Sequence, residues 1–101
     1  MYFSLNCCFV LSQTGEVTNH IFDGNEKADK EEYTEAEKSY RKAISLEPEK
    51  ESALYNLGNT HFKDKKYDEA SQRFFQTQKF ASSKQTKHRA FHNMGNVYMQ
   101  K

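Results

Sequence analysis

One ten-residue phrase is written twice in this chain. "ALYNLGNTHF" begins at Ala53 and "AFHNMGNVYM" at Ala90, 37 residues further on. A second offset, of 34 residues, pairs Gly24 with Gly58, Asn25 with Asn59, Tyr33 with Tyr67, Ala36 with Ala70 and Tyr40 with Phe74. Repetition at such an interval restricts the chain to stacked units, each burying its apolar face against the next. The difference between the two offsets places three extra residues between the second and third units, in the polar "ASSKQTK" around Ser82 and Ser83.

The spacing within a unit is helical. Ala36, Tyr40, Ala43 and Ile44 fall at i, i+4, i+7 and i+8, and Ala70, Phe74 and Thr77 repeat the stripe. Four Gly and one Pro leave long uninterrupted segments, which favours helices over a turn-rich β fold. The expected helices span 17–30, 33–46, 52–63, 67–80 and 87–100, with Ser52 as a helix cap and Pro48 closing the second. Proline ends it because its ring clashes with the preceding turn. Gly58 and Gly95 sit inside helices, where glycine costs about 1 kcal/mol relative to alanine. Close approach of a neighbouring helix is the expected compensation, with Ala36 and Ala70 on the opposite side. A chain that is 36% hydrophobic, with a mean hydropathy of -1.02, suits a thin solenoid with a narrow interior seam.

These residues resemble the tetratricopeptide repeat (TPR), a helix–turn–helix unit of 34 residues. Gly24, Ala36, Tyr40, Ala43 and Pro48 carry the likeness in the first unit. Leu57, Gly58, Ala70 and Phe74 carry it in the second, and Met94, Gly95 and Tyr98 in the third. Departures from the pattern are Asp23 for an apolar residue, Lys27 and His61 for aromatics, and Thr77 and Ser82 for the usual Ala and Pro. The resemblance implies an all-α, right-handed solenoid of about two and a half units. An apolar N-terminal segment, 1–13, precedes a repeat domain at 14–101, with units at about 17–50, 51–84 and 87–101.

"YNLGNTHF" and "HNMGNVYMQK", joined by a lengthened loop, are also similar to the exported TPR proteins of Bacteroidetes aerotolerance operons. There a leader often ends in Ser or Ala before Gln, as in "VLSQ" here. That likeness implies a periplasmic or membrane-associated adaptor in a Gram-negative bacterium, beside von Willebrand factor A-type membrane proteins and an AAA+ ATPase. Phe3 to Leu11 is too short to span a bilayer, which takes about 20 residues, and lacks the basic start of a signal peptide. A buried N-terminal element of a cytoplasmic chain is the other reading. Cys7 and Cys8 are too few for a disulfide framework or a metal quartet.

The resemblance further implies that the first helix of each unit lines a concave groove. Off the packing face, the register places Ile21, Asn25 and Asp29 in it, then Tyr55, Asn59, Phe62 and Lys63, then Arg89, His92, Asn96 and Gln100. Asn25, Asn59 and Asn96 each follow their Gly and form an expected amide ladder, able to hold a peptide backbone. The alternative is that these amides bond neighbouring helices. A related arrangement grips a terminal carboxylate with five polar groups. Asn25, Asn56 and Arg89 fall at its places, whereas Ile21 and Asn93 stand where bases are required.

Catalysis and cofactors are not expected. His88 and His92 have metal-ligand spacing without a third ligand or a glutamate between them. There is no phosphate loop, nucleophile elbow or Cys–His pairing. Charge is uneven, with 11 acids and 6 bases in residues 1–51 against 3 acids and 9 bases in 52–101. The bases of the second half are spread over several faces and the pI is near 7.8, below what nucleic-acid binding requires. The expected partner is a protein or peptide, and the uncapped third unit adds an expectation of self-association.

Overall fold

The computed structural model describes the backbone of residues 2–100 and the side chains of residues 14–100. Five helices follow one another: α1 (Tyr2–Asp29), α2 (Tyr33–Leu46), α3 (Glu51–Lys63), α4 (Tyr67–Phe80) and α5 (Lys84–Gln100). Each packs on its sequence neighbour, and α1 also meets α3. That is the stacking of TPR-type helix pairs into an all-α solenoid.

α2 and α4 have the expected bounds. α1 begins well before Val17, so the helix runs on into the apolar segment whose side chains, with Cys7, Cys8 and the leader expectation, lie outside the described residues. Ser52 is not a cap: α3 starts at Glu51, and its N-cap Lys50 makes no side-chain bond. Conversely, α5 starts at Lys84 rather than Lys87 because Ser83 caps it, the Thr86 amide donating to Ser83 Oγ at 3.1 Å. A capping hydroxyl satisfies one of the helix's orphan donors.

The turns inside the first two units are copies of one another. Glu31 and Lys65, 34 residues apart, both have positive φ, 60° and 62°. After each, the next amide reaches back five residues, Glu32 to Lys27 O at 2.9 Å and Lys66 to His61 O at 2.8 Å. This closure satisfies the last helical carbonyls, although the left-handed residue is usually glycine. The α4–α5 turn is built differently, with the Ser82 amide donating to Glu51 Oε2 at 2.8 Å.

The core is the predicted seam. Val17 and Ile21 of α1 meet Ala36, Tyr40 and Ala43 of α2, then Ala53 and Leu57 of α3. A second cluster joins Ala70 and Phe74 of α4 to Ala90 and Val97 of α5, with Met94 packed against it. Ile21 is therefore core, not groove, as one face of α1 turns inward with Val17. The helical glycines do admit a close neighbour, but it is an aromatic ring rather than an alanine. A Cβ at Gly58 would lie 2.6 Å from Phe74 Cε1, and one at Gly24 would lie 2.7 Å from Tyr40 Cε1. Gly95 has nothing within 4 Å.

Candidate functional site: the concave amide groove

The concave side is built from α1, α3 and α5. Tyr40 reaches it from beneath, its buried hydroxyl donating to Asn25 Oδ1 at 2.6 Å. Burial pushes this phenol up to about 12, so it remains a donor at neutral pH. The same Asn25 oxygen accepts from Asn56 Nδ2 at 2.9 Å. One unit on, Asn59 Oδ1 accepts from Asn93 Nδ2 at 3.1 Å. The two amide pairs are one contact repeated, since Asn59 follows Asn25 by 34 residues and Asn93 follows Asn56 by 37. Phe74 replaces Tyr40 in the second unit and has no hydroxyl. There Tyr55 supplies it, accepting from Asn93 Nδ2 at 3.0 Å with its ring 5.8 Å from Phe74.

Around the first pair lies an open groove of about 350 Å³, lined by Asn25, Ala28, Asp29, Tyr40, Asn56, Asn59, Thr60 and Lys63. A second depression of about 240 Å³ is lined by Glu51, Ser52, Tyr55, Asn56, Thr86 and Arg89. Asn56 borders both. Among the described residues, Asn25 Nδ2, Asn59 Nδ2 and Asn56 Oδ1 have no hydrogen-bond partner, and neither Lys63 nor Arg89 has an ion pair. Each bonded amide thus keeps one end for a ligand, two donors and one acceptor along the groove.

The structure brings Asn25, Asn56, Asn59 and Lys63 to the first depression, and Tyr55 and Arg89 to the second. Phe62 is turned aside, half-buried with its ring edge-on to Tyr67 at 5.8 Å. His92 and Asn96 are exposed on α5 and line neither depression. Tyr98, expected to pack within its unit, is 63% exposed. Asn93 was placed only as a missing base, yet it joins two helices. The signal was its match to Asn56 at the 37-residue offset.

The convex side differs in chemistry. Glu37 lies 3.2 Å from Arg41 and 3.6 Å from Lys66. His61 is 2% exposed beside this cluster, and burial pushes its pKa below 6.5, with Arg73 and Lys66 acting in the same direction and Glu37 and Glu69 opposing. Lys79 sits over the Phe80 ring, so the basic residues are divided among several faces. Among the described residues no group of three His, Cys, Asp or Glu is placed to hold a metal. No described helix is long and apolar enough to cross a membrane.

No curated protein matches the chain. A family model, the TPR repeat, matches residues 24–65, from the ring-covered Gly24 through α2 and α3 to the left-handed Lys65. TPR repeats mediate protein–protein interaction and are in general not catalytic. The match and the duplicated Gly–ring and Asn–Asn contacts together support a TPR protein.

Proposed function

We propose that the concave face is a docking groove for an extended segment of a protein partner, and that the chain is a non-catalytic adaptor. The observation behind this reading is the duplicated amide pair. Asn25 and Asn59 spend their oxygens inside the protein and present their Nδ2 groups to the groove, while Asn56 presents its oxygen. Alternating donors and acceptors match a peptide backbone, which offers one of each per residue. Lys63, exposed on the rim and without an ion pair among the described residues, adds a preference for an acidic segment. Tyr55 supplies apolar contact area between the two depressions.

The test begins with peptides selected from a random library on the intact chain. Lys63→Glu touches nothing structural, so it should weaken the selected peptides by tenfold or more without changing the melting temperature. An unchanged affinity would remove the groove from the reading. Asn59→Ala serves as a second probe, although it also breaks the bond to Asn93 and should lower stability by about 1 kcal/mol.

A second reading, recognition of a terminal carboxylate, draws on Arg89 sharing a depression with Asn56. A guanidinium can bind a carboxylate through two bonds. Equal binding of free and amidated peptide termini would exclude it. For the wider setting, the likeness of "HNMGNVYMQK" and "VLSQ" supports a periplasmic or membrane-associated complex of the aerotolerance type, with von Willebrand factor A-type partners. Fractionation of the native host tests that placement, and recovery in the soluble cytoplasm would end it.

A further inference from the structure

The two ends of the stack are unlike in charge and complementary in shape. At one end is the outer face of α5, where Phe91, Met94, Gly95 and Tyr98 stand in the register of Leu54, Leu57, Gly58 and His61 on α3. On α3 that stripe is buried and Phe74 lies over the glycine. On α5 it is open: Phe91 is 63% and Met99 83% exposed, and a Cβ at Gly95 would meet nothing within 4 Å. The helix carries Lys84, Lys87 and Arg89 and no Asp or Glu. Here is a ring-sized notch on an apolar stripe, flanked by cations.

At the other end, α1 holds an exposed ring. Phe22 is 72% exposed and follows Thr18 by four residues, the spacing of Ala36 to Tyr40 and Ala70 to Phe74, whose rings cover glycines. A shallow depression beside it is lined by Asn25, Glu26 and Asp29. From Thr14 to Asp29 the helix has Glu16, Asp23, Glu26 and Asp29 against the single base Lys27.

We propose that α5 of one copy receives α1 of a second copy, with Phe22 lying over Gly95. Laid antiparallel, as α4 lies on α3, the charges come into register. At 1.5 Å per residue, Glu26 and Asp29 stand roughly 6 and 10 Å beyond Phe22, while Arg89 and Lys87 stand roughly 9 and 12 Å before Gly95. Pairing α5 with α5 would set cations against cations, and α1 with α1 acids against acids. Only the head-to-tail arrangement brings opposite charges together. Such a contact is heterologous and leaves a free end on each side, so it propagates into chains of molecules.

Two end-blocking variants test this by sedimentation equilibrium. Phe22→Asp alters an exposed side chain and Gly95→Glu places its Cβ in open space, so both should keep the wild-type helix content. The wild-type average mass should rise with concentration without a plateau, and each variant alone should remain monomeric. An equimolar mixture should form a one-to-one dimer, because each variant retains the end that the other lacks. Self-association of Phe22→Asp alone would overturn the proposal in favour of an α5–α5 contact. A wild type that stays monomeric at its solubility limit, or a mixture that stays monomeric, would overturn it outright.

Discussion

The first and second helix pairs make the same packing contact with different chemistry. In the second, the positions inside the contact are Leu57 and His61, both buried, and Phe74 covers Gly58. In the first, the corresponding positions are Asp23 and Lys27, and Tyr40 covers Gly24. The charges there are not errors in the pattern. Asp23 Oδ2 accepts from Lys27 Nζ at 2.8 Å and from Ser39 Oγ at 2.7 Å, so the carboxylate is satisfied across the helix pair. A repeat therefore fixes the ring over the glycine and leaves its flanking positions free, provided that each polar group finds a partner.

The sharpest way to break this comparison is to remove the rings. Phe74→Ala deletes the contact entirely and should cost about 3–5 kcal/mol in denaturant unfolding. Tyr40→Phe keeps the ring, loses only the hydroxyl bond to Asn25, and should cost about 1 kcal/mol. Equal losses would mean that the hydroxyl, not the ring, holds the first pair. Next in size is Gly58→Leu. With Phe74 already 2.6 Å from an ideal Cβ, the ring must move, and overpacking of this kind costs about 1–3 kcal/mol or more. A melting temperature equal to wild type would show that the second pair tolerates a wider spacing.

The fold was legible because its determinants are local and repeated. Gly24, Gly58, Ala36 and Ala70 are fixed by steric contact, and such positions leave a periodic trace. The start of α5 was misplaced because a cap is one residue, and Ser83 stands among Ser82 and Thr86, which look alike in sequence. The groove was legible in part. Asn25, Asn59 and Lys63 face it as their register requires, but the pairing of Asn25 with Asn56 and of Asn59 with Asn93 depends on how units stack. Phe62 was misplaced for a related reason: at the end of α3 its ring packs on Tyr67 across the turn, a contact that no helical period encodes.

Acid should separate the two pairs. Hydrogen bonds from Lys27 and Ser39 hold Asp23 below its ordinary 3.8, so its contribution is present above that value and fades only as pH falls beneath it. The bond to Asp23 raises Lys27 above 10.5, so the support from this pair is lost only as pH rises beyond that. His61 behaves otherwise. Burial pushes its pKa below 6.5, so the unfolded chain takes up the proton first and stability declines as pH drops below 6.5. Unfolding measured at pH 7 and pH 5 should therefore show a loss that His61→Gln reduces, whatever that change does at pH 7. A loss of equal size in the variant would place the acid sensitivity elsewhere than the second pair.

The smallest effect gives the cleanest contrast between a covered and an open glycine. Gly95 occupies the register of Gly58 but has no atom within 4 Å of its Cβ position. Nothing opposes a methyl group there, and alanine restricts the unfolded backbone while favouring the helix. Gly95→Ala should then stabilise the dilute chain by about 0.5–1 kcal/mol. Gly58→Ala should destabilise it, because the same methyl group meets Phe74. Opposite signs at two positions in one register would show that the ring, rather than the helix interior, requires the glycine. A loss at Gly95 in dilute solution would mean that its face is already covered. A gain when dilute that turns to weakened association at high concentration would instead connect this residue with the docking of Phe22.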